Sequence, residues 1–491
     1  MSNNDAKSGD SGVINDKKIN HYLISSTLTT LAGLISFPIL TRLLSKADYG
    51  IYSLIQAAQL FYEALLKSGF QFSIVRHYAA NRDGNRRVFL KSLLLFPASV
   101  SLSITVFLSL LIVILSYLGV IDILFSLVII SAQGSIFVSL FRSYMQATGR
   151  SKFDSLIDII NKYTYLILVI PFVLYVSSNY WGVITAICLA SVLCAIISIW
   201  LNREVFQSIS SKIDWKLIRE SYKYSFPLIL TEITILSIAY VDRFIMAAMD
   251  VDFSDIGIYA IGFGLANVIY MFLWKTIQPS VFPSANEIHD QLGVSYSVAF
   301  LERNANFLFL VFICLTVGVF LNSEDFIILI CGEDKSDAAV IFEFAIILFL
   351  MKTLSNILFY GFHLNQKTKS VFISEITVAV TNIIINIVMI PIWGMYGALI
   401  ATFIAFILGL CIKYYLLEES YRIKNFFSGS LYVILLMLIY IVFHELVVNE
   451  YINGGVYRLL ISIVIFLIII FSRYKFWMNK FSLAFKNNEF I

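Results

Sequence analysis

Apolar runs of about twenty residues recur from Tyr22 to Trp477, broken only by short polar punctuation. At about 1.5 Å of rise per residue, each run crosses a hydrocarbon layer of about 30 Å as a helix. A chain written this way has few folding options, because every backbone amide inside lipid must find its partner within the protein. A β-barrel is excluded, since its strands would read as segments of about ten residues alternating in polarity. Hydrophobic residues make up 59% of the chain and charged ones only 14%, against about 45–50% and 25% in soluble domains. The expectation is an all-α polytopic membrane protein.

With Pro, Gly and charged clusters as punctuation, the runs resolve into about fourteen transmembrane helices. Residues 1–19 are polar and expected to be a disordered cytoplasmic N-terminus, without the apolar core and cleavage site of a signal peptide. The loops divide by charge. One set carries Arg76, Arg82, Arg86, Arg87, Arg150, Lys152, Arg203, Lys212, Lys216, Lys367, Lys369, Arg422 and Lys424. The alternate set carries Asp250, Asp252, Glu324, Asp325, Glu333 and Asp334. Basic loops stay cytoplasmic, so both termini are expected inside. The loop "SANEIHDQLGVS" at 284–295 belongs to the inner set but has no basic residue. Cys188, Cys194, Cys314, Cys331 and Cys411 are scattered without metal or redox spacing, and no cofactor motif is present.

Two corners repeat. "ADYGIY" at 47–52 returns as "SDIGIY" at 254–259, and Asp48 and Asp255 each suit the N-cap of the helix that follows. "MQATGRSKF" and its distant Pro171 match "NQKTKSVF" and Pro391, pairing Gln146 with Gln366 and Thr148 with Thr368. "WGVITA" at 181–186 then meets "YGALIA" at 396–401. Matches in one shared order point to a parallel repeat, with lobes crossing the membrane in the same direction. The expected organisation is an N-lobe of six spans at 20–203, a cytoplasmic linker at 204–217 and a C-lobe of six at 218–417. The last two spans and a cytoplasmic tail occupy 418–491.

Polar residues inside spans are costly and face an interior. Span two, 48–72, carries Gln56, Gln59, Glu63, Lys67 and Gln71 on one helix face. Glu63 and Lys67 are an i,i+4 pair, but the glutamines extend the stripe beyond what pairing needs, which favours a cavity wall. Asp158 and Lys162 have the same spacing and read as a structural pair. Span eight holds Asn267, Lys275 and Gln278. Span ten holds Lys352 near its middle, then Asn356 and His363, and span eleven holds Glu375, Asn382 and Asn386. Lys352 lies about 20 Å from either helix end, too deep to reach the interface. Glu232, in span seven, has no opposite charge one turn away and is a protonatable candidate. Arg76 and Arg142 sit near inner helix ends, where interfacial anchoring competes with any ligand role.

"LTRLLSKADYGIYSL", "VDRFIMAAMDVDFSDIGIYAI" and "GFQFSIVRHYA" resemble signatures of bacterial polysaccharide-biosynthesis membrane proteins. These are O-antigen and capsule flippases of the multidrug/oligosaccharidyl-lipid/polysaccharide exporter superfamily. The resemblance implies movement of an undecaprenyl-diphosphate-linked oligosaccharide across the cytoplasmic (inner) membrane by two lobes around a cationic cavity. It also implies service to surface polysaccharide assembly, alongside a polymerase and chain-length or export machinery. On that reading Lys352 and Lys275, supported by Lys67, Arg76 and Arg142, meet the diphosphate, since Lys binds phosphate as a point charge and Arg does so bidentately. Gln56, Gln59, Gln71, Asn267 and Asn356 suit sugar hydroxyls, while Glu232 and then Glu63 are the ion-coupling candidates. Membrane lipids are the other partner, and nucleic acid is not.

Three rivals remain. "NRDGNRR" at 81–87 faintly resembles a major-facilitator motif, but the span count and corner repeats oppose it. A drug or cation exporter of the same superfamily would favour acidic groups over several lysines. A membrane glycan polymerase or glycosyltransferase would need more than "DVD" at 250–252 in a short outer loop. Without a G-x-x-x-x-G-K-[ST] loop, the drive is expected to come from an ion gradient, from a partner or from substrate consumption outside, with ion-gradient coupling the favoured reading.

Overall fold

The computed structural model describes residues 8–78, 86–423, 430–448 and 455–486, with side chains 8–20, 23, 275–276, 368, 430–434 and 471–486 excepted. Arg82 and Lys424, two of the residues used to orient the chain, lie outside that set. Helix dominates, and no strand occurs among the described residues. In chain order the helices are α1 (Ser8–Leu43), α2 (Lys46–Lys67), α3 (Phe70–Tyr78), α4 (Arg86–Tyr117) and α5 (Phe125–Ala147). There follow α6 (Ser151–Val176), α7 (Tyr180–Leu201), α8 (Trp215–Ala248), α9 (Phe253–Leu292) and α10 (Val294–Cys331). The last are α11 (Ala338–Leu364), α12 (Thr368–Leu416), α13 (Ser430–Phe443) and α14 (Gly455–Lys486).

Nine helices among the described residues are long and apolar enough to cross a membrane, and two shorter apolar helices follow them. The protein is a multi-pass membrane protein. α12 counts once although it bends at Gly394, where φ is 56° and two expected spans meet. α2 and α8 also have the length of a span but are not among those nine. α4 leaves Phe107, Leu110 and Ile114 exposed along one side. Water tolerates such an apolar face badly and lipid tolerates it well.

The chain divides into two compact units, Met1–Arg243 and Phe244–Ile491, with the boundary inside α8. In the first unit, Phe70, Ile74, Phe89, Leu93, Leu94, Ile136, Leu140, Phe141 and Tyr144 form one buried cluster joining α3, α4 and α5. α5 also lies close along α7. A Cβ on Gly134 would stand 2.8 Å from the Ser191 backbone, so only glycine permits that approach. The connection after α7, expected as a linker, is tied down. Val205 is buried in the cluster, and Glu204 accepts from Arg150 at 2.5 Å.

The two corners fold alike, but not as expected. Ser45, not Asp48, is the N-cap of α2, accepting from the Asp48 N–H at 3.1 Å, while Asp48 stands in the first turn. At the second corner Asp252 caps α9, accepting from the Ser254 N–H at 2.7 Å, and Asp255 takes the first-turn place. Both acids therefore favour the positive helix end from three residues further in. The turns before α6 and α12 also match. The Arg150 N–H donates to the Met145 carbonyl and the Lys367 N–H to the Phe362 carbonyl, both at 2.8 Å. Gly149 (φ 74°) and Gln366 (φ 53°) take the left-handed position, closing the helix ends as Schellman turns. This geometry pairs Gly149 with Gln366, three residues away from the register that the repeated letters suggest.

"SANEIHDQLGVS", expected as a loop, is helical to Leu292 and turns at Gly293 (φ 92°).

Candidate functional site

Span two is not continuous. Ser68 (φ 46°) and Gly69 (φ 68°) break it between α2 and α3. A Cβ at Gly69 would lie 2.5 Å from the Ser225 Cβ on α8, so both the backbone and the neighbour require glycine. The freed backbone is satisfied inside the protein, as lipid demands. The Ser225 hydroxyl donates to the Gly69 carbonyl at 2.8 Å, and Ser73 and Ser225 share a hydroxyl contact of 2.7 Å.

Polar groups gather at the break. Lys67, at the end of α2, places its Nζ 3.0 Å from Glu232 Oε1 on α8. Gln71, on α3, donates to Glu232 Oε2 at 3.3 Å. Glu63 accepts from the Gln59 amide one turn away at 2.9 Å. The expected stripe thus shares a face, with Gln56 half-buried above it, but its pairing differs from expectation. Lys67 meets Glu232 instead of Glu63, and Glu232 is no lone carboxylate. The break turns Lys67 toward α8, a direction that i,i+4 spacing alone does not supply.

Arg142 is likewise committed. Its Nε donates to Asp154 Oδ1 at 2.6 Å and its Nη1 to Asp158 Oδ1 at 2.7 Å. Gln146 donates to the other Asp154 oxygen at 3.0 Å, and Ser25 of α1 reaches Asp158 at 3.5 Å. Asp154 is fully buried. The expected Asp158–Lys162 pair gives way to this clamp across α1, α5 and α6. Arg142 joins α5 to α6, and Ser25 ties α1 to the same Asp158 carboxylate. Arg76 is exposed and lays its guanidinium 4.1 Å from the centre of the Tyr224 ring.

In the second unit, a cavity of about 590 Å³ opens among α9, α11 and α12. Pro279 and Pro283 lie within α9 along its wall. Asn356 and His363, expected on one face of span ten, line it together with Gln278 and Asn286. Glu375 and Lys413 face it from α12 as an ion pair of 2.7 Å. Aromatic rings supply the rest: Trp274, Phe282, Phe359 and Tyr360, with Phe282 and Tyr360 stacked at 4.0 Å.

Lys352 is not among the lining residues. Its Nζ stands 5.4 Å from the centre of the Tyr270 ring, a cation–π contact. Tyr270 also bonds Asn356, and Glu375 and Lys413 act on Lys352 electrostatically. Asn267 is half-buried, three residues before Tyr270 on α9. Lys275 lies on α9 beside Trp274, and its side chain is outside the described part.

Lys413, Trp274, Asn286 and Tyr360 are cavity residues that sequence reasoning missed. The signal for Lys413 was present, as a lysine inside an otherwise apolar run, but its partner Glu375 lies 38 positions away. Asp158 and Glu375 stand equally far past the two matched Schellman turns, and each holds a cation, Arg142 or Lys413. Among the described residues no group of three or more His, Cys, Asp or Glu side chains is placed to hold a metal.

The profile of a family described as polysaccharide biosynthesis protein matches residues 17–289, more than half of the chain. Among solved structures, the lipid II flippase MurJ in an inward closed conformation superposes with a TM-score of 0.71 at 15% identity. That alignment covers 94% of this chain and 99% of MurJ. A MATE protein in complex with MaL6 gives 0.53 at 11% identity, covering 86% and 96%. The Vibrio cholerae MATE transporter VcmN in its bent form gives 0.50 at 13%, covering 86% and 99%. At such identities the likeness is one of fold. No curated protein sequence matches the chain.

Proposed function

Because this chain belongs to the polysaccharide biosynthesis protein family, we propose that it is a transporter that moves a lipid-linked oligosaccharide across the cytoplasmic membrane. The carrier in this reading is undecaprenyl diphosphate, the direction is from inner to outer leaflet, and the product feeds surface polysaccharide assembly. The observation that carries the reading is this family match joined to a MurJ-like fold along 94% of the chain. MurJ is described as a lipid II flippase.

The interior chemistry supports the same reading. A helix broken at Ser68–Gly69, with Lys67, Gln71 and Glu232 at the break, is the kind of element that transporters use for substrate or ion contact. The carboxylate Glu232, held by one cation and one amide, is the coupling group we assign, because a proton or ion can compete for it. Alternating access supplies the cycle, with inner and outer openings mutually exclusive. A MATE-type drug exporter is the alternative, and the family match over 17–289 disfavours it.

Cells depleted of the protein are expected to accumulate the lipid-linked oligosaccharide in the cytoplasmic leaflet while surface polysaccharide falls. Sugar analysis of the extracted lipid pool measures the first, and sugar analysis of the polysaccharide sheared from whole cells measures the second. An unchanged lipid pool with normal surface polysaccharide would refute the assignment.

A further inference from the structure

We propose that the cavity in the second unit is a glycan subsite: it takes an uncharged sugar of the oligosaccharide and leaves the diphosphate to be bound elsewhere. The inference rests on the transport reading above and adds a substrate class for one particular set of residues.

Four observations lead there. First, the size is right: about 590 Å³ falls within the roughly 300–1,000 Å³ of small-ligand pockets. Second, the wall joins aromatic surface (Trp274 and Phe359) to the amides of Gln278, Asn286 and Asn356. A pyranose has one face of C–H bonds, which packs on the electron-rich face of a ring, and an equator of hydroxyls that both donate and accept. Amides do both as well.

Third, among the described residues the acid and the lysine on the wall neutralise each other. Lys413 sits 2.7 Å from Glu375 and 3.5 Å from the Ser355 hydroxyl. A diphosphate seeks uncompensated cations and charge-assisted hydrogen bonds, and here the lining lysine already has its carboxylate. An organic cation would suit the aromatic rings but would need Glu375, which Lys413 holds. A polyprenyl chain would leave the amides, and the remaining donor and acceptor sites of the ion pair, unsatisfied in an apolar environment. A neutral polyhydroxylated ligand satisfies them instead, with the carboxylate accepting from one hydroxyl and the ammonium donating to another.

Fourth, the site is built on rigid parts. Asn286 donates to the Tyr360 hydroxyl at 3.1 Å, and Phe282 stacks on Tyr360. These contacts fix the wall before any ligand arrives, which lowers the ordering cost of binding.

The test uses the full-length protein in lipid nanodiscs and three probes. They are the free oligosaccharide released by mild acid from the cell's own lipid-linked pool, geranyl diphosphate, and tetraphenylphosphonium. Calorimetry and saturation-transfer NMR read the binding. Trp274→Ala is expected to weaken oligosaccharide binding at least about tenfold, as loss of a packed aromatic anchor does, and to leave geranyl diphosphate binding unchanged. Gln278→Ala, an exposed position that carries little folding risk, is expected to weaken it about threefold or more, the share of one hydrogen bond. Trp274→Phe keeps a ring and is expected to recover most of the affinity.

Oligosaccharide binding that ignores both Trp274→Ala and Gln278→Ala in folded protein would overturn the subsite. So would competition for that site by geranyl diphosphate or tetraphenylphosphonium. A failure of the transport reading looks different: wild-type protein would then bind neither the intact lipid-linked oligosaccharide nor the released sugar.

Discussion

Arg142→Leu is expected to remove most of the folded protein from the membrane. The guanidinium spans two carboxylates at 2.6 and 2.7 Å, and one of them, Asp154, is fully buried. Deleting a buried partner leaves an unpaired charge and costs about 3–5 kcal/mol. That is a large share of the roughly 5–15 kcal/mol by which domains are stable. Arg142→Lys keeps the charge but not the planar fork that reaches two acceptors, so an intermediate loss is expected. Arg142→Leu combined with Asp154→Asn and Asp158→Asn removes all three charges and should recover much of the abundance. Fluorescence-detected gel filtration of detergent extracts reads each variant. Normal abundance and melting of the single variant, with only transport lost, would make Arg142 a substrate group and not a brace.

The second large effect concerns Lys67 and Glu232. Glu232→Leu alone leaves Lys67, only 15% exposed, without its carboxylate, and is expected to lower both abundance and transport. Adding Lys67→Met replaces the ion pair by apolar side chains of similar size, a change that is often neutral for stability. Abundance should then return. Transport should stay at least tenfold down, because an apolar pair has no charge to exchange with an ion or an anionic substrate. If transport returns together with abundance, the pair only braces the break at Gly69.

The pattern of legibility follows from range. Helices were readable because their signal is local, a run of apolar residues with punctuation, and helix makes up most of the described part of each expected span. The stripe Gln59, Glu63, Lys67 and Gln71 was readable from spacing alone. Its partners were not, since Lys67 reaches a carboxylate 165 positions away and Lys413 one 38 positions away. The break at Ser68–Gly69 was also hidden. No proline marks it, and the close approach of Ser225 that demands glycine belongs to another helix. The repeat was found through matching letters, yet its turn before α6 and α12 is registered by backbone shape. Gln366 adopts the left-handed conformation that Gly149 takes in the other copy, and glycine and glutamine do not look alike in a sequence.

The proposed activity is transport of a lipid-linked oligosaccharide across a bilayer. Purified protein in liposomes containing a fluorescent undecaprenyl-diphosphate oligosaccharide tests it directly, with a membrane-impermeant lectin reporting which leaflet holds the sugar. The account predicts that the inner-leaflet pool becomes reachable in vesicles holding the protein, and faster under a sodium or proton gradient, while protein-free vesicles keep it protected. An inner pool that stays equally protected with and without the protein, whatever gradient is imposed, would contradict the account.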